Sequence, residues 1–100
     1  MARYSIQLAD EAKEDVQELR KAIEDTYKAP LTAARYVAEL NTKMQWLANG
    51  ASYFPIVPEL SHQYGYDIRR LNFKKMAILY TIDGDIVKVI RIISQNMVIY

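Results

Sequence analysis

The sequence predicts an α+β domain: a short N-terminal strand, an antiparallel helical hairpin, then a three-stranded antiparallel meander, with the helices packed on one face of the sheet. Three observations carry this. Two stretches in the first half repeat apolar residues at helical spacing. The second half changes to strand-like apolar runs. Asp83-Gly84 separates two of those runs with a hairpin turn signal.

Each element follows in chain order. Tyr4–Leu8 (YSIQL) alternates large apolar and polar residues and reads as a strand. Asp10 is a candidate N-cap, because its carboxylate can accept from free N–H groups of a first turn. Ala12, Val16, Leu19, Ile23 and Tyr27 then form one apolar helix face. Pro30 opens a second helix, since proline is tolerated in a first turn and not in a helix interior. Ala33, Val37, Leu40, Met44 and Leu47 line its inner face, and Asn49-Gly50 marks its stop. The gap between the helices is only a few residues, so they lie antiparallel.

Residues 50–65 hold Pro55, Pro58 and Gly65 and show no period. They read as a long connection, tucked against the body by Tyr53, Phe54, Ile56 and Val57. Tyr66–Phe73, Met76–Ile82 and Ile86–Ile93 read as the three strands. Ile68 and Leu71 fall on opposite faces of the first, and Phe73–Met76 forms its turn. Residues 94–100 are a tail that reads as extended.

Composition sets outer bounds. One hundred residues make a single domain over 1–100, and 51% hydrophobic with 25% charged residues is globular composition. No cysteine is present, which fits a reducing compartment, and no apolar run reaches the roughly 20 residues of a membrane span. The expected location is cytoplasmic. The net charge of +1 hides an asymmetry. Residues 10–27 carry seven acids against three bases, while residues 51–100 carry six bases against four acids. One side of the molecule is therefore acidic and another basic.

Little catalytic apparatus is visible. His62 is the only histidine and reads as an ordinary loop residue. No metal-ligand cluster, nucleophile motif or Gly-rich phosphate loop occurs, so no cofactor is expected. The informative constellation is cationic: Arg69, Arg70, Lys74, Lys75, Lys88 and Arg91, interleaved with Tyr64, Tyr66, Phe73, Tyr80 and Tyr100. Arg and Lys attract phosphates, and aromatic rings stack on unpaired bases. A solvated sheet face gives the same pattern. Strand parity also sends the neighbours Arg69 and Arg70 to opposite faces.

The strand–hairpin order followed by YDIRRLNFKKMAILYTIDGDIVKVIRI resembles the RelE/ParE toxin superfamily, the toxin members of bacterial type II toxin–antitoxin pairs. The resemblance covers nearly the whole chain. It implies a toxin neutralised by a cognate antitoxin, with operator DNA reached only through that complex, and no membrane partner. RelE-like members cut mRNA on the ribosome, and ParE-like members inhibit DNA gyrase. A catalytically degenerate member acting only as an antitoxin-binding module is the alternative. For the nuclease activity the resemblance places Arg70 (or the competing Arg69), Arg91 and Tyr100 at catalytic positions, with Lys74 and Lys75 in a turn where basic residues are frequent; Arg69, Lys74, Lys75 and, from the cationic cluster, Lys88 are the expected RNA- or phosphate-binding residues. Two departures accompany it. Ala77 stands three residues before Tyr80, where many RelE-like nucleases have Arg. Ser94-Gln95 stands where many members have a polar, basic pair.

Overall fold

The structure is a computed structural model and describes residues 3–98. Strand β1 (Ser5–Leu8) leads into helices α1 (Asp10–Tyr27) and α2 (Pro30–Gln45). Short helix α3 (Leu47–Gly50), a 3₁₀ turn and helix α4 (Pro58–Tyr64) follow. Strands β2 (Arg69–Phe73), β3 (Met76–Asp83) and β4 (Ile86–Ser94) close the domain, with a last 3₁₀ turn at Gln95–Met97.

The sheet order is β1-β4-β3-β2. The predicted meander is present as antiparallel β2-β3-β4, and β1 joins its far edge parallel to β4. A parallel pair needs a long crossover, which the helical hairpin and the meander together supply.

The two faces are covered unequally. Leu40, Met44 and Leu47 pack with Leu71, Phe73, Ile78, Tyr80, Val87, Val89 and Ile92 on the hairpin face. The opposite face has a smaller cluster of Leu60, Ile68, Ala77, Leu79 and Ile90. Each fully buried side chain of this size contributes about 1.5–3 kcal/mol. The hairpin face therefore holds the greater share of the stability.

Five local expectations change, the first being the tail read as extended, where Ser94 belongs to β4 and Gln95–Met97 form a 3₁₀ turn. Helix α1 begins at Asp10 itself, so its cap position is Ala9, which has no side-chain cap bond. The Asp10 and Glu11 charges still suit the positive end of the helix dipole. The second helix breaks at Trp46, whose N–H bonds to the Lys43 carbonyl at 3.1 Å in a tightened turn. Part of the 50–65 connection is helical: Pro58 starts α4, and Gly65 ends it at φ 81°, a value open to glycine. Strand β2 starts only at Arg69, because Ile68 spends its backbone groups on Val57 N–H and Ser61 Oγ.

A bulge shapes β4. Leu79 pairs with Arg91 and Tyr80 with Val89, leaving Ile90 between them without a register mate. The extra residue moves the inward set from odd positions (Val87, Val89) to an even one (Ile92). It also sends Ile90 into the second core.

Candidate functional site

The cationic residues are positioned by β2, its following turn and β4, and they do not converge. Arg69 lies on the hairpin side, where its guanidinium donates to the Phe54 carbonyl and to the Ser52 carbonyl at 3.3 Å. Arg70 points the other way, as parity requires. Its Nε donates to Asn72 Oδ1 at 2.7 Å and its Nη2 to Gln95 Oε1 at 3.4 Å.

Lys74 occupies the β2–β3 turn at φ 52°. Its Nζ bonds to Glu39 of α2 at 2.6 Å and lies 4.9 Å from the Tyr36 ring centroid. Lys75 and Lys88 are exposed, and their side chains make no ion pair or hydrogen bond among the described residues. Lys88 stands in register between Gln7 and Thr81, at the far end of the sheet from the Lys74–Lys75 turn. Tyr100 lies outside the described residues.

Arg91 is the most constrained cation. Strand β1 ends at Leu8, opposite Val89, so the rest of β4 has no strand on that side. Asp15 of α1 fills the gap. Its carboxylate accepts from Arg91 Nε at 2.8 Å and Nη2 at 3.0 Å, and from the Ile92 N–H at 2.9 Å. The bond to Asp15 raises the Arg91 pKa. In register, Arg70, Leu79 and Arg91 form one row across the sheet. Two strand spacings put the two arginine backbones roughly 10 Å apart. A cavity of about 240 Å³ lies on this face, lined by Leu60, Tyr64, Leu79, Arg91 and Met97 among others.

The two departures from the nuclease pattern have structural uses. Ala77 is fully buried against the second core, so an Arg there would enter apolar packing. Gln95 ties the last turn down: its backbone N–H donates to the Lys75 carbonyl and its Nε2 to the Lys74 carbonyl, each at 2.8 Å. The aromatic residues divide likewise. Tyr80 is buried and donates to the Ala51 carbonyl at 2.6 Å. Burial pushes its phenol up to about 12, against a smaller lowering by Arg69. Phe73 is buried edge-on against Tyr36, with ring centroids 5.4 Å apart. Neither ring is free to stack on a base. His62 is exposed in the last turn of α4. Among the described residues no group of three or more His, Cys, Asp or Glu could hold a metal, and no helix is long and apolar enough to cross a membrane.

Sequence reasoning missed Asp15 and Gln95. Asp15 has a readable signal: it lies at i+3 from Ala12, an acid inside the apolar stripe. Gln95 has none, because its partners are the Arg70 side chain and backbone carbonyls of a turn about 20 residues earlier.

The comparisons with known proteins agree with this geometry. The family model described as "ParE toxin of type II toxin-antitoxin system, parDE" matches residues 6–99. Among solved structures, one described as the chromosomal ParDE TA system from P. aeruginosa superposes with a TM-score of 0.75. It has 15% sequence identity and covers 92% of this chain and 96% of that chain. No curated protein matches the sequence significantly.

Proposed function

The chain belongs to the ParE toxin family of type II toxin–antitoxin systems, and on that premise we propose that it is a toxin that acts by binding a protein target, DNA gyrase, without cleaving RNA. In this reading a cognate antitoxin neutralises it, and the pair together contacts operator DNA. One observation carries the choice between binding and cleavage: three of the six cations of the sheet and its turn are spent inside the molecule. Arg91 is held by Asp15, Lys74 by Glu39, and Arg69 by two backbone carbonyls. Electrostatic catalysis needs donors already aimed at the developing charge, and one misaimed donor costs about 10²–10³-fold in rate. Three cations aimed elsewhere argue for a scaffold role.

The test is induction of the protein alone and together with its antitoxin, followed by assays of supercoiling and transcript integrity. Growth arrest with intact mRNA, inhibited gyrase and rescue by the antitoxin is the expected result. Arg70→Ala and Arg91→Ala, if folded, remain toxic. Transcripts cut within codons, with cutting abolished by Arg70→Ala, establish the ribonuclease reading instead. Normal growth without antitoxin establishes the degenerate member.

A further inference from the structure

A second site lies away from the arginine row. The outer side of α2 and the end of β2 enclose a groove of about 320 Å³ whose walls are overwhelmingly apolar. Helix α1 packs on β4, while Lys74 after β2 reaches Glu39 of α2. The groove therefore opens at the β2 edge of the sheet. Phe73 supplies wall from the strand side. Trp46 supplies it from the helix side and is 58% exposed. Residues 35, 38, 39 and 42 of α2 line it, with Trp46 just past the helix end, at helical spacings of three and four. This stripe is separate from the buried one at Ala33, Leu40 and Met44.

The charges around the groove are uneven. Lys74 and Glu39 neutralise each other at 2.6 Å. The Arg35 side chain makes no ion pair or hydrogen bond among the described residues. Lys43 is not ion-paired either; its Nζ sits 3.7 Å from the Trp46 ring centroid, which leaves its positive charge uncompensated. The groove thus offers an apolar floor between two uncompensated cations. Eight residues of helix separate them, or roughly 12 Å along the axis.

We infer that this groove binds an extended segment of a partner protein, with an apolar side chain flanked by acids in the pattern acid-x-apolar-x-acid. Residues i, i+2 and i+4 of an extended chain project to one side, and i to i+4 spans roughly 13 Å. The central side chain enters between Trp46 and Phe73, and the flanking carboxylates meet Arg35 and Lys43. The existence of a protein partner rests on the toxin reading above; the chemistry of the segment rests on the groove alone.

The chain has one tryptophan, and it lines the groove. Titration with a blocked peptide containing Glu-Ser-Leu-Ser-Glu therefore has a built-in reporter. The expected result is a saturable blue shift of Trp46 emission, with a dissociation constant on the order of 0.1–1 mM. Binding weakens with added salt. It weakens at least about tenfold in Arg35→Glu/Lys43→Glu and stays unchanged in Lys88→Glu, which lies at the far end of the sheet from the Lys74–Lys75 turn. Circular dichroism establishes that each variant is folded. If the double variant does not fold, Arg35→Gln and Lys43→Gln are read singly with the same expected direction. The same peptide with Lys for Glu, or Ser for Leu, does not bind. No response up to about 5 mM, or equal binding by the acidic and basic peptides, overturns the inference. That failure is distinct from failure of the toxin reading, which is judged by growth and supercoiling: a toxic, antitoxin-rescued protein that ignores the peptide loses the groove assignment alone.

Discussion

At Asp15 one carboxylate replaces a missing length of strand. It holds the Arg91 guanidinium with two bonds and satisfies the Ile92 N–H that β1 is too short to reach. The Asp15 side chain is 9% exposed and that of Arg91 38%, so solvent screens the ion pair from one side only. Asp15→Ala removes the pair and leaves a backbone donor unmet, at a cost of about 2 kcal/mol. The urea midpoint measures this. Arg91→Ala costs less, because Asp15 keeps the Ile92 N–H. Tyr80 gives a pH prediction. Its phenol is neutral when protonated, and burial raises its pKa from 10.0 to about 12 in the folded state. The folded state therefore holds this proton more tightly than the unfolded one. The associated stability is fully present below pH 10 and is lost as pH rises from 10 towards 12, by up to about 2 kcal/mol. Tyr80→Phe lacks this dependence, so the difference in urea midpoint between it and the parent chain changes across that window.

Among the elements, α4 shows how a short helix earns its place through one hydroxyl. Ser61 Oγ accepts from the buried Ile68 N–H at 2.8 Å and donates to the Val57 carbonyl at 2.9 Å. It thereby fixes the approach to β2. Ser61→Ala leaves the Ile68 donor unmet and costs about 1–2 kcal/mol, with faster amide exchange at Ile68 as the specific readout. The β3–β4 turn rests on backbone conformation. Gly84 has φ 62° and open space around a would-be Cβ. Gly84→Ala therefore costs only the left-handed strain, about 1–2 kcal/mol, seen as a lower melting temperature without a structural change. The elements were unequally readable. The two helices showed their 3.6 period directly. The β4 bulge had a trace in the sequence: adjacent apolar Val89 and Ile90 interrupt a strict alternation. Helix α4 had only Pro58 and Gly65 as markers, and seven residues are too few for a period to show.

On the scale of the whole molecule, charge is sorted by element. Seven acids stand on α1, and Arg35, Lys43, Lys75 and Lys88, cations without an ion pair among the described residues, lie on α2, the β2–β3 turn and β4. Such a field steers encounter more than it holds a complex. The association rate with an acidic partner is expected to fall about tenfold between low and roughly 0.5 M salt, with a smaller change in the dissociation rate. Stopped-flow mixing measures both.

The helical hairpin, the strand-rich second half and the basic sheet were determined by the sequence alone, because each is written in local periodicity or in composition. The opposed directions of Arg69 and Arg70 also followed from strand parity, and the structure keeps them apart. Tertiary structure alone decided which cations are paired inside the molecule. Whether a cation is paired depends on a carboxylate or carbonyl that folding brings from far along the chain: Asp15 for Arg91, Glu39 for Lys74, Phe54 for Arg69. The same holds for the groove at Trp46, whose far wall, Phe73, lies on another element. Local patterns specify faces and elements; a site is a meeting of faces, and only packing chooses which ones meet.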